Sequence, residues 1–332
     1  MIYLTLRQWP FIAWQRESMS AKSVGWMALV ICILAASTYN GFAKLLTGAL
    51  SPLSLFFVSE LLTGFFVAFS FGLMPVVRGI SRLNRKSFPP LLLVGLTSGT
   101  VGPLLLFHGL ERSTAVNASL FLNMEPVFLV MLAVIFLHES FGRAHAASSV
   151  AISAGVVVIA LRGFTQGIGM SSGDLLLLAS SFCFATGGII FRKSLRHVKP
   201  HLVLFSRSAI AVVSFFLLSP FISHTLMEEV RAFPLAALPV LLGFAFISRF
   251  LNVFSFYEAL DRLSVTTVSL VGNTGIVTSL LFAWWIVGEP ILWYHIAGGG
   301  LIILGTILLE LLGTHPTAKH LERHLRQRNG HR

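Results

Sequence analysis

Charged residues are scarce in this chain. Aspartate, glutamate, lysine and arginine make up 11% of its 332 residues, and hydrophobic residues make up 55%. Soluble domains carry about 25% charged residues, and the mean hydropathy here is +0.83. This composition excludes an ordinary soluble domain and predicts an all-α polytopic membrane protein.

Cysteine is almost absent as well. Cys32 and Cys183 both lie in apolar runs without a partner at ligand spacing, so neither a disulfide nor a metal site is expected. The sequence has no Walker loop, and the three glycines at 298–300 fall in a predicted span, where they fit helix packing better than a phosphate cradle. No arrangement of Ser or His supports catalysis. We therefore predict no cofactor and a protein that is not an enzyme.

Ten apolar runs are long enough, at ~1.5 Å per residue, to cross most or all of a ~30 Å hydrocarbon layer. Breaks at charges, Gly or Pro place them at residues 24–46, 53–73, 91–110, 115–137, 144–161, 175–190, 202–222, 235–260, 265–287 and 291–312.

The placement of Lys and Arg predicts the orientation of these spans. With the N-terminus in the cytoplasm, 18 of the 24 basic residues fall in inner segments and 3 in outer loops. We expect both termini to be cytoplasmic, in a bacterial inner membrane. The net charge of +11 comes from short loops and not from a soluble face with interleaved aromatics, so nucleic acid is not an expected partner.

The chain also repeats itself at an interval of 150 residues. Leu-Glu-Arg at 110–112 returns as Leu-Asp-Arg at 260–262, and Asn123 returns as Asn273. Two similar halves are typical of transporters, and five spans per half make the second half enter the membrane from the opposite side. The predicted fold is therefore ten transmembrane helices in two inverted five-helix repeats.

The repeat divides the chain into segments. We expect repeats at 24–162 and 174–312, a Gly-rich linker at 163–173, a cytoplasmic N-terminal segment at 1–23 and a basic cytoplasmic tail at 313–332. The first 23 residues would suit a segment lying at the lipid surface, unless Met19 is the true start; both alternatives stay open.

The order of several features, found in both halves, resembles the EamA-type, ten-span family of the drug/metabolite transporter superfamily. These features are the Leu-x-Arg elements, the mid-span Pro126, the acidic span ends at Glu139 and Glu289, and the Gly-rich spans that follow. The resemblance implies export of small metabolites or uptake of solutes. Glu60 departs from the family pattern, in which a base is usual nearby, so the resemblance does not supply the substrate.

Charged side chains inside a bilayer cost at least ~2.5 kcal/mol each and are functional candidates. Away from the ends of the predicted spans these are Glu60, Glu125, Arg207 and Arg249, whereas Lys44 and Glu310 lie near span ends, where snorkelling explains them. Glu125 and Glu60 are candidates for proton coupling, because a carboxyl can load a proton on one side and release it on the other. An alternative for Glu125 is a hydrogen bond to backbone freed by Pro126.

Polar side chains at helical spacing complete the candidate substrate site. Arg249 and Asn252 on span eight, with Tyr39 and Asn40 on span one, would suit an anionic solute. Alternatively, Arg249 only neutralises Glu125 or Glu60. Asn123 and Asn273 are expected near the two-fold axis, either as substrate ligands or as interhelical contacts. On an ideal helix Asn123 and Glu125 point about 160° apart, unless Pro126 kinks span four.

These patterns together predict a secondary active transporter, an exporter or exchanger, of small organic metabolites by alternating access. Its partners would be a small-molecule solute and the lipid bilayer, with the protein acting as a monomer or a homodimer. Two other classes stay open: an intramembrane enzyme or lipid-handling protein that uses Glu125 and Arg249, and a non-transporting membrane adaptor.

Overall fold

The computed structural model describes residues 21–137, 143–160, 171–220, 226–263, 268, 271–272 and 275–313. These residues form helices and connecting turns, with no strand among them. The predicted N-terminal segment before residue 21, most of the Gly-rich linker, the basic tail beyond residue 313 and Asn273 lie outside the described residues.

Seven helices are long and apolar enough to cross a membrane, among the residues described. Three shorter apolar helices accompany them. We number the apolar helices in chain order: α1 is Lys22–Leu46, α2 Pro52–Phe71, α3 Arg85–Glu111, α4 Ala115–Phe136, α5 Ala146–Ile159, α6 Ser172–Leu195, α7 Pro200–Leu218, α8 Leu235–Arg262, α9 Gly275–Val287 and α10 Trp293–Gly305. The chain is thus a multi-pass all-α membrane protein.

Local sequence explains where several of these helices begin. Pro52 and Pro200 occupy the first turns of α2 and α7, where the missing N–H costs nothing. Ser171 and Asp174 form a capping box that starts α6 at Ser172, inside the stretch expected to be linker. Two short helices, Leu73–Ser81 and Leu226–Ala232, occupy loops for which the sequence predicted no helix.

Several helices contain π-helical turns, which carry one residue more than an α turn. The longest are Gly95–Val101 in α3 and Phe244–Leu251 in α8. They occupy corresponding positions in the two halves, 150 residues apart. Because π turns often occur at functional sites, these two segments direct attention to the centre of the bundle.

Helices α5 and α10 pack closely against each other at the edge of the bundle. Gly155 and Gly298 face each other at the crossing: a Cβ added at Gly298 would lie 2.6 Å from the carbonyl oxygen of Gly155. Small residues allow such close approach of two helices in a membrane, where apolar burial alone gives no advantage over lipid.

Candidate substrate site

A cavity of about 270 Å³ lies between helices of both halves. Seven of the candidate residues predicted from sequence line it: Tyr39, Asn40, Asn123, Glu125, Arg207, Arg249 and Asn252. Drug-sized ligands occupy pockets of ~300–1,000 Å³. The cavity is therefore large enough to hold a small metabolite.

A buried charge cluster forms one wall of the cavity. Glu60 on α2 is fully buried, and its Oε1 accepts hydrogen bonds from Nη2 of Arg207, at 3.3 Å, and from Nη2 of Arg249. Ser208 donates its hydroxyl to Oε2 of Glu60 at 2.7 Å. Two guanidinium groups face one carboxylate, so one positive charge within this cluster is uncompensated.

Aromatic side chains hold Arg249 from the other side. Its Nη1 donates to the hydroxyl of Tyr39 at 2.8 Å, and its guanidinium carbon lies 5.9 Å from the ring centroids of Tyr39 and Phe244. The two rings meet edge to face at 5.0 Å. A cation over desolvated aromatic faces gains up to about 2 kcal/mol, which helps to offset the burial of Arg249.

The alternative that Arg249 neutralises a buried acid is therefore present in the structure, and the acid is Glu60. Glu125 has a different setting. It lines the cavity, and no cation or hydrogen-bond donor among the described residues contacts it. The two carboxyl groups proposed for proton coupling thus differ: Glu60 is held by two arginines, whereas Glu125 is open to the cavity.

Asn123 and Glu125 line the same cavity, although an ideal helix would turn them apart. A 3₁₀ turn at Leu122–Met124 interrupts α4 directly before Glu125 and Pro126, and it changes the angle between the two side chains. Asn123 donates one N–H of its amide to the carbonyl oxygen of Ser119 in its own helix. Its other N–H and its Oδ1 remain available to a solute or to another helix.

The other two asparagines link helices. Asn40 donates to Oγ of Ser119 at 3.1 Å, which joins α1 to α4, and its buried Oδ1 has no hydrogen-bond partner in the described part of the chain. Asn252 donates to the carbonyl of Ser248 at 3.1 Å and accepts from Sγ of Cys32 at 3.4 Å. Asn273, the predicted mate of Asn123, lies outside the described residues.

Sequence reasoning did not place Tyr257, Ser98 or Phe184 in the site, yet all three line the cavity. Tyr257 interacts with Arg207 and Ser98, and so extends the polar wall from α8 to α3. Tyr257 and Phe184 are aromatic residues in aromatic-rich spans, so residue type alone gave no signal for them. Among the described residues, no group of three His, Cys, Asp or Glu side chains could hold a metal ion.

Polar contacts join helix ends near the starts of α4 and α6. Glu289 accepts from the backbone N–H groups of Ala115 and Val116, at 3.0 and 2.9 Å, and so caps α4. Lys44 donates to the carbonyls of Leu110 and Ser113 at the end of α3.

Comparison with known proteins identifies the family. The sequence profile of the EamA-like transporter family matches residues 23–161 and 171–311. A crystal structure with 19% sequence identity has the same fold with a TM-score of 0.61, over 88% of this chain and 96% of that one.

Three relatives are named as transporters or an exporter. The chain is 27% identical to an "Uncharacterized transporter" of Methanothermobacter thermautotrophicus, over 69% of this chain and just under two thirds (66%) of the relative. It is 24% identical to the "Uncharacterized transporter YyaM" of Bacillus subtilis, over 85% and 91%. It is 26% identical to a "Probable terminal-alkyne amino-acid exporter" of Streptantibioticus cattleyicolor, over 70% and 76%. With both halves matched by the profile, this chain belongs to the EamA-like transporter family of membrane transporters.

Proposed function

We propose that the protein is a secondary active transporter that moves a small organic solute by alternating access, as an exporter or exchanger. The observation that carries this proposal is the cavity between the halves, lined by buried Arg249 and Arg207 and backed by Glu60. Buried charges in a bilayer are costly, and they occur where a solute path needs them. A non-transporting adaptor would have no use for such a cavity.

The proposed architecture is ten spans in two inverted five-helix repeats at 24–162 and 174–312. The three shorter apolar helices would supply the spans beyond the seven long ones. Helix contacts support a two-fold relation: α1 packs on α8 as α6 packs on α3, and α1 packs on α9 as α6 packs on α4. An odd number of spans per half would invert the second half.

We propose that this state faces inward. The cavity lining extends on α1 from Leu29 to Asn40 and on α8 from Arg249 to Tyr257, and it also includes Leu106 on α3 and Ser119 on α4. The contacts of Lys44 and Glu289 join helix ends at the side that would be outer if both termini are cytoplasmic, which supports an inward-facing state.

The orientation can be tested by chemical labelling. A cysteine placed at Gly167, in the predicted outer linker, should react with a membrane-impermeant maleimide in intact cells, in a background that lacks the two native cysteines. A cysteine at Arg328, in the predicted cytoplasmic tail, is the matched control and should react only after permeabilisation. Reaction of position 167 only after permeabilisation would contradict the inverted arrangement.

The solute is proposed to contact Tyr39, Asn40, Asn123, Arg249 and Asn252, with Asn273 as a further candidate. Glu125, which no described cation contacts, is the proposed coupling group, whereas Glu60 is occupied by its arginines. The name of one relative, an amino-acid exporter, is compatible with a small polar solute of this kind.

Counterflow in proteoliposomes tests the proposed function. Preloaded solute should drive uptake of the same labelled solute, which should be recovered unmodified, and Arg249→Ala should abolish the exchange. Recovery of a chemically changed solute would favour an intramembrane enzyme that uses Glu125 and Arg249.

Coupling is tested separately with Glu125→Gln. The variant should exchange solute at rates near wild type but fail to accumulate it under an imposed pH gradient, because a permanently neutral side chain cannot carry a proton. The control is Ser279→Ala, at another position that lines the cavity, and this variant should leave gradient-driven accumulation intact. Asn123→Asp would not serve as a control, because it adds a charge. Wild-type accumulation by Glu125→Gln would exclude Glu125 as the coupling group.

A further inference from the structure

Among the described residues, each arginine of the buried cluster keeps one donor without a partner. The Nε atoms of Arg207 and Arg249 are both buried and make no hydrogen bond to the described part of the chain, whereas at least one Nη atom of each is engaged. The side chains themselves are 5% and 1% exposed, and both line the cavity. A buried donor without an acceptor is unfavourable, so two in one cluster indicate that an acceptor belongs there.

Glu60 cannot be that acceptor for both arginines. Its Oε1 already accepts from Arg207 and Arg249, and its Oε2 accepts from Ser208. The cluster also keeps one uncompensated positive charge. One additional oxyanion would accept hydrogen bonds from the free Nε–H groups and would balance the remaining positive charge.

Beyond Arg207 and Arg249, no described lysine or arginine lines the cavity. Its other polar groups are uncharged hydroxyls and amides, and the carboxyl group of Glu125, which no described cation contacts. A second negative charge on the solute would therefore meet no second cation. The rest of the lining is largely apolar and includes Phe184 and Phe256.

We propose that Arg207 and Arg249 form an oxyanion subsite that binds the single carboxylate of the transported solute, with Glu60 as the fixed counter-ion that positions both guanidinium groups. This inference rests on the proposed function and names its substrate class: small monocarboxylates with an apolar or hydrogen-bond-donating remainder. Dicarboxylates are disfavoured, because the cluster can compensate only one of their charges.

Thermal unfolding of the purified full chain provides the test, because a ligand that binds only the folded state raises its stability. The probes are propionate, 4-methylpentanoate and 3-phenylpropionate, each beside its primary amide, with phenylsuccinate as the dicarboxylate, all at equal ionic strength. We expect at least one monocarboxylate to raise the unfolding temperature, and its amide and phenylsuccinate to leave it unchanged. Equal stabilisation by acid and amide would overturn the proposal, and so would no stabilisation by any acid at about 10 mM, a concentration tenfold above a Kd of 1 mM.

Substitution by lysine separates the charge from the extra donor. Arg207→Lys keeps a cation for Glu60 but has no Nε–H, so affinity for the stabilising acid should fall about 10- to 100-fold. The unliganded unfolding temperature should stay near wild type. Arg262→Lys, in a partly exposed pair with Glu258, is the control and should not change affinity. If Arg207→Lys does not fold, Arg249→Lys serves in its place; unchanged affinity in the folded variant would contradict the subsite.

Counterflow distinguishes failure of this inference from failure of the proposed function. An acid that binds through the arginines but is not exchanged would contradict the proposed transport function and support the oxyanion subsite. Exchange of the neutral amide as fast as the acid would support the transport function and contradict the oxyanion subsite.

Discussion

Replacement of Glu60 by glutamine tests whether the buried cluster is a structural charge pair. The substitution keeps the size of the side chain and removes its charge, so two guanidinium groups are left buried without a carboxylate. Breaking a buried pair by removal of one partner costs about 3–5 kcal/mol. Glutamine keeps one acceptor oxygen for an arginine, so we expect a loss near the lower limit, about 3 kcal/mol.

The assay is thermal unfolding in detergent. For large domains 1 kcal/mol corresponds to roughly 2 °C, so Glu60→Gln should lower the unfolding temperature by about 6 °C. Glu258→Gln is the matched control, because it removes the same charge from an i,i+4 pair with Arg262 that is partly exposed. Such pairs contribute at most ~1 kcal/mol, so the control should shift by about 2 °C or less.

A double substitution shows whether charge or shape is responsible. Glu60→Gln with Arg207→Gln restores the wild-type excess of one positive charge, and it should recover part of the lost stability. If Glu60→Gln unfolds within 1 °C of wild type, about 0.5 kcal/mol on the same scale, Glu60 is not a charged counter-ion and the reasoning is refuted. No recovery in the double variant would assign the loss to packing.

Three further substitutions test contacts at the edges of the site. Glu289→Ala removes the cap of α4 and should cost about 1–2 kcal/mol in thermal unfolding, while an unchanged unfolding temperature would show that water replaces the carboxylate. Lys44→Met removes two charged hydrogen bonds to carbonyls and should cost about 1–3 kcal/mol; full stability would show that these carbonyls need no cation. Gly298→Ala places a Cβ 2.6 Å from the carbonyl oxygen of Gly155 and should cost about 1–3 kcal/mol. Gly300→Ala, with open space around it, should be neutral or gain about 0.5–1 kcal/mol; equal effects at the two glycines would argue against close packing of α5 on α10.

Sequence predicted the membrane class and the polar residues of the cavity because each rests on a local property. A charge such as Arg249 in an apolar run is expensive wherever the run folds, so its sequence context alone marks it. The spacing that repeats at 150 residues likewise needs no tertiary information. Tyr39, Asn40 and Asn252 were named on a local property as well, because they are polar residues at helical spacing within predicted spans.

The partner of Arg249 could not be predicted in the same way. Glu60 and Glu125 are both mid-span carboxyl groups, and only the packing of α2 against α7 and α8 places Glu60 beside the two arginines. The angle between Asn123 and Glu125 could not be predicted either, because the 3₁₀ turn before Glu125 is a local departure from 100° per residue. Pro126 indicated only that a departure from ideal geometry was possible there.

The π-helical segment Phe244–Leu251 has a consequence for deletion variants of α8. A π turn is an α turn with one inserted residue, so removal of one residue from this segment would leave a continuous α-helix and not a broken one. Because residues i and i+5 across a π turn stand as residues i and i+4 do in an α turn, the two parts of the helix would keep nearly the same relative orientation, whereas the same deletion in a regular α turn would rotate the following part by about 100°. Such a chain would still insert and fold as a helix, and Asn252 and Phe256 would still face the cavity. The extra residue therefore widens the turn that carries Arg249 and does not set the direction of the residues beyond it.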